Sequence, residues 1–215
     1  MTRPSPFSDL RAWRRDEARP QFVHADRVVA RGQLCVDAAA LAGELARADA
    51  GDWALYHADA YPFAVALLAV LGSGGRAWLP ADATEGTAEK LAAHCDGWLG
   101  TAWTGGAAVP IERTDGDADL PPLTGEVVVF TSGSTGEPQP IVKHPDQLGR
   151  EVEGLEQVWG GRLGDARVLG TVSHQHIYGL LFRVLWPLCA GRTSRSERFV
   201  ESADLLRAVA RPRIG

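Results

Sequence analysis

Six consecutive residues in the middle of the chain, 131–136, carry either a hydroxyl group or no side chain, in the order TSGSTG. An apolar run over residues 127–130 comes directly before them. Glycine tolerates positive φ and lets a backbone approach a ligand closely, and successive N–H groups in such a turn form a concavity suited to an anion. The pattern therefore predicts a loop that holds a polyphosphate, although a flexible turn between two strands would have a similar local composition. The expected phosphate-binding residues of the loop are Thr131, Ser132, Gly133, Ser134, Thr135 and Gly136.

Two other glycine-rich motifs can be compared with the same residues. A Walker A loop requires GxxxxGK[ST], but the residues after the second glycine of this loop read EPQ. A nucleophile elbow requires GxSxG, and neither Ser132 nor Ser134 has a glycine two positions before it. The sequence thus excludes a P-loop. It disfavours, as an open alternative, a serine hydrolase in which one of these serines acts with His174 or His176.

A second group of polar residues lies further along the chain, where residues 173–180 read SHQHIYGL. Histidines near the start of a helix are more often structural than functional, and His174 and His176 would be interpreted in that way from their local context alone. An HxH pair can also bind zinc, but no carboxylate or cysteine lies at a ligand-like spacing, so no metal site is predicted. The occurrence of this segment together with the loop favours a functional interpretation of both.

Short apolar runs alternate with longer helical patterns, which is typical of parallel strands covered by helices. The predicted fold class is α/β, with a mostly parallel sheet flanked by helices. Residues 1–50 are assigned to an N-terminal helical and short-strand region, and residues 51–215 to an α/β subdomain that carries the phosphate loop at 131–138.

The expected elements follow from the spacing of apolar residues. After the loop, Leu148, Val152, Leu155 and Trp159 recur at helical spacing, so all four are expected on one buried helical stripe. Asp37 is expected to cap an earlier helix. The predicted strands are 53–56, 76–79, 97–103, 126–130 and 167–172, and the predicted helices are 36–48, 60–71, 87–94, one from 145, 176–188 and 201–210. Residues 104–124 are expected to form a surface connection.

Composition limits the class of protein. The 215 residues are 45% hydrophobic and 23% charged, as in soluble globular proteins, and a net charge of −5 argues against a nucleic-acid partner. Cys35, Cys95 and Cys189 lie far apart, so neither a disulfide framework nor a zinc ribbon is expected and a cytoplasmic location is favoured. No apolar run is long enough to span a bilayer, so no membrane insertion is expected.

The loop resembles the phosphate loop of the adenylate-forming superfamily, which comprises acyl- and aryl-CoA ligases, luciferases and the adenylation domains of peptide synthetases. That loop reads roughly [ST]SG[ST]TGxPKG, and residues 131–138, TSGSTGEP, follow it in order. Gln139 and Pro140 depart from the pattern at the usual lysine and glycine, while Lys143 lies nearby as a candidate replacement for the lysine. The segment 173–180 resembles the family's PxxHxxG motif, in which His176 and Tyr178 match the histidine and aromatic residue.

The resemblance implies the N-terminal part of the ligase large domain and an ATP-dependent activation of a carboxylic acid. An acyl-AMP forms, and the acyl group then passes to CoA or to an acyl carrier protein. ATP and Mg²⁺ are the implied cofactors. The two segments TSGSTGEPQP and SHQHIYGL also resemble those of the stand-alone acyl- and aryl-acid ligases found with bacterial aryl-polyene-type pigment pathways. The residues implied for ATP are those of the loop and Lys143, and those implied for the acid substrate are His176, Tyr178 and Gly179.

Later motifs of the superfamily have no counterpart in these 215 residues, including the adenine-stacking segment, the ribose-binding Gly-Asp and the C-terminal lysine. The rest of the large domain and the C-terminal lid domain are therefore expected to be absent, and the chain alone is expected to be inactive. The remaining alternative is a non-catalytic module that keeps the nucleotide loop for binding or scaffolding.

Overall fold

Two sheets built mainly from parallel strands organise the chain. The fold was determined as a computed structural model, which describes residues 7, 13, 16–48, 51–103, 119–131 and 139–210. Most of the phosphate loop (132–138) and most of the expected surface connection (104–118) lie outside the described residues.

The elements of the described residues alternate between strands and helices, with further strands at 20–24, 139–143 and 194–198 that the sequence analysis does not predict. The strands are β1 Pro20–His24, β2 Arg27–Ala30, β3 Asp52–Leu55, β4 Arg76–Leu79, β5 Gly97–Leu99, β6 Glu126–Thr131, β7 Gln139–Lys143, β8 Val168–Gly170 and β9 Ser194–Arg198. The helices are α1 Arg31–Leu45, α2 Ala60–Gly72, α3 Glu85–Leu91, α4 Pro145–Leu155, α5 Gly161–Leu163, α6 Ile177–Gly179, α7 Trp186–Ala190 and α8 Ser202–Ala210. Two π-helical segments, π1 Glu156–Gly160 and π2 Leu180–Leu185, continue α4 and α6 without a break.

The larger sheet has the strand order β5-β3-β4-β6-β7. The first four strands are parallel to one another, so their carboxyl ends lie at one edge. Strand β7 is antiparallel to β6 and closes the sheet on one side. Its residues are predominantly exposed and include Pro140. Proline has no N–H group to donate to a further strand, so an edge strand tolerates it.

The smaller sheet has the order β2-β1-β9-β8, in which β1 and β8 both pair in parallel with β9. Residues 20–30, near the N-terminus, therefore share a sheet with residues 194–198. The boundary assigned at residue 50 does not coincide with a division between the sheets.

Helix α2 joins the two sheets. Its residues 60–71 are all buried, and it contacts β3 and β4 of the larger sheet as well as β9 of the smaller one. A helix that is apolar on every side must be covered on every side. Helix α1 also packs against it and buries Ala38, Leu41, Ala42 and Leu45.

Asp37 does not cap α1, because that helix begins at Arg31, six residues earlier. Asp37 lies in the helix interior with 4% of its surface exposed. Its carboxylate accepts hydrogen bonds from the hydroxyl of Tyr61 on α2 and from Gln33. The prediction was wrong because a tertiary partner replaced the local one.

The helix from Pro145 is confirmed, but its expected stripe is not continuous. Leu148 and Val152 are buried, whereas Trp159 is 40% exposed. The π-helical turn widens the spacing of residues, so Trp159 leaves the buried stripe and faces an open cleft. No helix within the described part of the chain has both the length and the apolar character needed to cross a membrane.

Candidate active site

The predicted phosphate loop connects β6 and β7 at the tip of a hairpin. Thr131, the last residue of β6, pairs with Gln139, the first residue of β7. The loop therefore leaves the larger sheet at the carboxyl end of a parallel strand. Ligands of open α/β sheets bind at that edge. The placement of Ser132, Gly133, Ser134, Thr135 and Gly136 lies outside the described residues.

Lys143 lies at the opposite end of the same hairpin. It pairs with Val127, near the start of β6, and is separated from Gln139 by four strand positions, or roughly 13 Å of extended chain. Its Nζ forms an ion pair with Glu151 Oε1 at 2.8 Å. Lys143 thus lies away from Thr131 and Gln139, the two residues between which the loop runs.

The segment that carries His176 is tied to the carboxyl end of β3. His174 Nε2 donates a hydrogen bond to the carbonyl of His57 at 2.9 Å. Oriented to satisfy both of its amide atoms, Gln175 donates to the Leu55 carbonyl at 3.1 Å and accepts from the His57 N–H at 3.2 Å. These bonds hold residues 174 and 175, which follow β8 of the smaller sheet, against the edge of the larger one.

Arg183 of π2 also holds this segment in place through hydrogen bonds. Arg183 is 2% exposed, and its guanidinium donates to the carbonyl of Val172 at 2.8 Å and to His174 Nδ1 at 3.1 Å. It also donates to the carbonyls of Ser196 and Glu197 on β9, both at 3.2 Å. A single side chain thus links the end of β8, strand β9 and the polar segment.

Burial keeps the two histidines of this network neutral. Desolvation lowers the pKa of His57 to about 4. Desolvation, assisted by the Arg183 cation, lowers the pKa of His174 to about 3. Both nitrogens of His174 are occupied by His57 and Arg183, so this histidine cannot act as the base of a serine hydrolase.

His176, Tyr178 and Gly179 lie at the start of the next helix, where the first two are exposed and the third is buried. His176 is exposed and precedes the first turn of α6. Tyr178 is 58% exposed. Gly179 is buried, and a Cβ there would lie 1.9 Å from the carbonyl oxygen of Ser173, so its small size is explained by close packing of the helix against the polar segment.

The structure brings the polar segment and the loop to the same edge. Strands β3 and β6 are parallel members of one sheet with β4 between them, which places their ends roughly 10 Å apart. Residues 174 and 175 are bound at the end of β3 and the loop starts at the end of β6. Both therefore lie at the edge where ligands of open α/β sheets bind.

Sequence reasoning missed the supporting residues His57 and Arg183. The available signal was Arg183 itself, a lone charge within the apolar run LLFRVLWPL, because buried charges need several polar partners. No signal in the sequence indicated His57, since its role depends on a contact with residues more than a hundred positions away. Among the described residues, no cluster of three His, Cys, Asp or Glu could hold a metal ion.

Sequence comparison finds two curated relatives, each over part of the chain. The 4-coumarate–CoA ligase of Rhodobacter capsulatus is 37% identical over 90 residues, which are 39% of this chain and 22% of that protein. The mitochondrial malonate–CoA ligase of Bos taurus is 30% identical over 69 residues, which are 32% of this chain and 12% of that protein. The chain thus matches less than a quarter of the length of either relative, and no family model matches it.

Structure comparison extends the likeness to nearly the whole chain. O-succinylbenzoate coenzyme A synthetase from Bacillus subtilis, solved with ATP and magnesium, superimposes with a TM-score of 0.75 at 18% identity. The superposition covers 96% of this chain and 60% of that one. The chain is thus similar in sequence to two CoA ligases over part of its length, and over nearly all of its length it has the fold of the N-terminal portion of an adenylate-forming ligase.

Proposed function

We propose that the chain supplies the ATP-holding loop and the acid-facing segment of an AMP-forming carboxylic acid ligase. The observation that supports this most directly is the anchoring of residues 174 and 175 to the end of β3. It places the His176 segment at the same sheet edge as the hairpin that carries TSGSTG.

The loop residues Thr131 to Gly136 would bind the β- and γ-phosphates through backbone N–H groups and hydroxyls. Their donor set fits a polyanion, because it has many donors and no carboxylate. Mg²⁺ would be held by phosphate oxygens of ATP and would neutralise part of their charge. Lys143 is left out of this set, because it lies at the far end of the hairpin in an ion pair.

The substrate would be a carboxylic acid bound beside His176 and Tyr178, which are both exposed at the start of α6. Its carboxylate attacks the α-phosphorus of ATP, and the P–O bond to pyrophosphate breaks as the acyl-AMP forms. Positioning and charge stabilisation supply most of the catalysis in such transfers. The two curated relatives are named CoA ligases, so CoA is the proposed acceptor, with an acyl carrier protein as the alternative.

The 215 residues would bind ATP without completing adenylation, because the sequence lacks the family's adenine, ribose and C-terminal lysine motifs. An ATP–pyrophosphate exchange assay with a panel of carboxylic acids tests this directly. We expect no exchange above a protein-free blank, and turnover by the purified chain would contradict the proposal.

ATP binding is the positive test, measured by isothermal titration calorimetry with MgATP. Gly133→Val and Thr135→Val should each weaken binding at least about tenfold, because each removes close approach or a donor in the loop. Absence of saturable ATP binding by a folded chain would overturn the proposed function. Labelling of Ser132 or Ser134 by a fluorophosphonate would favour the hydrolase instead.

A further inference from the structure

A small pocket lies where the carboxyl ends of strands from both sheets meet. Residues 56–59, directly after β3, form one side of it, and Ser173 and the end of β9 form the other. We call it the junction pocket. Its volume is about 220 Å³, which is below the usual range for drug-sized ligands and suits a small molecule or a single polar group. Ligands of open α/β sheets bind at the carboxyl ends of strands, and His176 and Tyr178 are not among the lining residues of this pocket.

The junction pocket contains two hydrogen-bond donors that face no acceptor in the described part of the chain. Arg198, the last residue of β9, is exposed, and within the described residues its guanidinium makes no hydrogen bond and no ion pair. The Oγ of Ser173 accepts the N–H of Gln175 at 3.3 Å, so its own hydrogen remains available to a ligand. A guanidinium presents a planar fork of donors that matches the oxygens of a carboxylate or a phosphate. The donor set therefore favours an oxyanion.

A second cation lies buried behind the wall of the pocket. Arg183 is 2% exposed, and it donates to the carbonyl of Glu197 at 3.2 Å and to His174 at 3.1 Å. Among the residues that the structure describes, it forms no ion pair with a carboxylate. Burial and, after it, the nearby charge of Arg198 lower the pKa of Arg183 to about 10. The two guanidinium groups thus repel each other, and an anion bound beside Arg198 would reduce that repulsion.

Two carboxylates also line the pocket, and each of them faces another basic side chain. Glu197 forms an ion pair with Arg195. Asp59 Oδ2 lies 3.8 Å from His24 Nδ1. Neither carboxylate forms an ion pair with Arg198 in the described structure, so the positive charge of Arg198 remains available to a ligand.

We propose that the junction pocket binds a small oxyanion, a carboxylate or a phosphate group, between Arg198 and Ser173. This site goes beyond the proposed ligase function and does not depend on it. His57 and Ser173 line the pocket, and they also take part in the hydrogen bonds that hold residues 174 and 175. Binding of an anion is therefore linked to the position of the His176 segment.

The test is an NMR titration of the ¹⁵N-labelled 215-residue chain near neutral pH. Sodium acetate and sodium phosphate are the two probes, and sodium chloride keeps the ionic strength constant. We expect saturable shifts of the Ala58 and Ser173 amides and of the His57 ring nitrogens with at least one probe. The probe that binds more tightly identifies the ligand group as a carboxylate or as a phosphate.

Variants of Arg198 test the assignment of the cation. Arg198→Gln should weaken anion binding at least about tenfold, and Arg198→Lys about threefold, because lysine keeps the charge but loses the planar fork. Arg150→Gln, at an exposed position of α4, is the matched control and should change the affinity by less than about twofold. Arg198 is exposed and makes no hydrogen bond in the described structure, so its variants should stay folded, and circular dichroism checks this.

The absence of saturable shifts with both probes would overturn the proposal, and so would an unchanged affinity in Arg198→Gln. Repeating the titration with saturating MgATP separates this pocket from the phosphate loop. An unchanged anion affinity supports a site of its own, whereas loss of anion binding by competition would assign Arg198 to the ATP site and overturn the proposal. Anion binding without any ATP binding would refute the ligase function alone.

Discussion

The guanidinium of Arg183 donates a hydrogen bond to Nδ1 of His174 across 3.1 Å. Because Nδ1 accepts, the histidine proton is on Nε2, which donates to the carbonyl of His57 at 2.9 Å. Arg183 therefore donates to His174, and His174 in turn donates to His57. It joins the end of β8 to the end of β3, one in each sheet, and it determines where the His176 segment lies.

Replacing Arg183 should destabilise the fold. Arg183→Met leaves the carbonyls of Val172, Ser196 and Glu197 without this donor, and we expect a loss of about 2–4 kcal/mol in the free energy of unfolding. Urea denaturation followed by circular dichroism measures it. Arg150→Leu, at an exposed position of α4, should change stability by less than about 0.5 kcal/mol. If Arg183→Met lost less than about 0.5 kcal/mol of stability, as expected for Arg150→Leu, these hydrogen bonds would not stabilise the fold as described.

Stability should fall as the pH is lowered from about 6.5 to about 4. Burial lowers the pKa of His57 to about 4 and that of His174 to about 3, whereas both have a pKa near 6.5 when unfolded. In this window the unfolded chain binds more protons, so the stabilisation present above pH 6.5 is progressively lost. Urea titrations at several pH values measure the slope. His57→Gln should make the dependence of the unfolding free energy on pH less steep. His94→Gln, at an exposed position, is the control. An unchanged slope in His57→Gln would contradict this account.

Gly179 should be intolerant of even a methyl group. An added Cβ would lie 1.9 Å from the carbonyl oxygen of Ser173, so Gly179→Ala forces a backbone shift, with an expected cost of about 2 kcal/mol or more. The matched change Gly154→Ala in α4 meets nothing within 4 Å and should be neutral or stabilising by up to about 1 kcal/mol. Thermal unfolding of both variants tests this contrast, and equal melting temperatures would refute it.

Lys143→Met should leave ATP affinity unchanged within about twofold, because Lys143 lies at the end of the hairpin away from the loop and is paired with Glu151. Calorimetry with MgATP, run beside Thr135→Val, gives the comparison. A loss for Lys143→Met as large as that for Thr135→Val would show that Lys143 does replace the usual loop lysine.

Patterns of local origin were predicted well from the sequence. The fold class is confirmed, as is the apolar helix α2, because an all-round apolar segment has only one stable location, between two layers. The helix from Pro145 is confirmed with Leu148 and Val152 in the core. Trp159 was placed wrongly on that stripe, because a π-helical turn has no simple signature in the spacing of apolar residues.

The sequence by itself carried the resemblance to the adenylate-forming superfamily, through TSGSTGEP after an apolar run and through the histidine and aromatic residue at 176 and 178. Such motifs are contiguous, so their letters can be read without knowing the fold. Only the tertiary structure decided that Lys143 lies away from Thr131 and Gln139, that Asp37 binds Tyr61 on the next helix, and that His174 joins the segment after β8 to the end of β3. These outcomes depend on strand register and on contacts between distant residues, and neither is recorded in local composition.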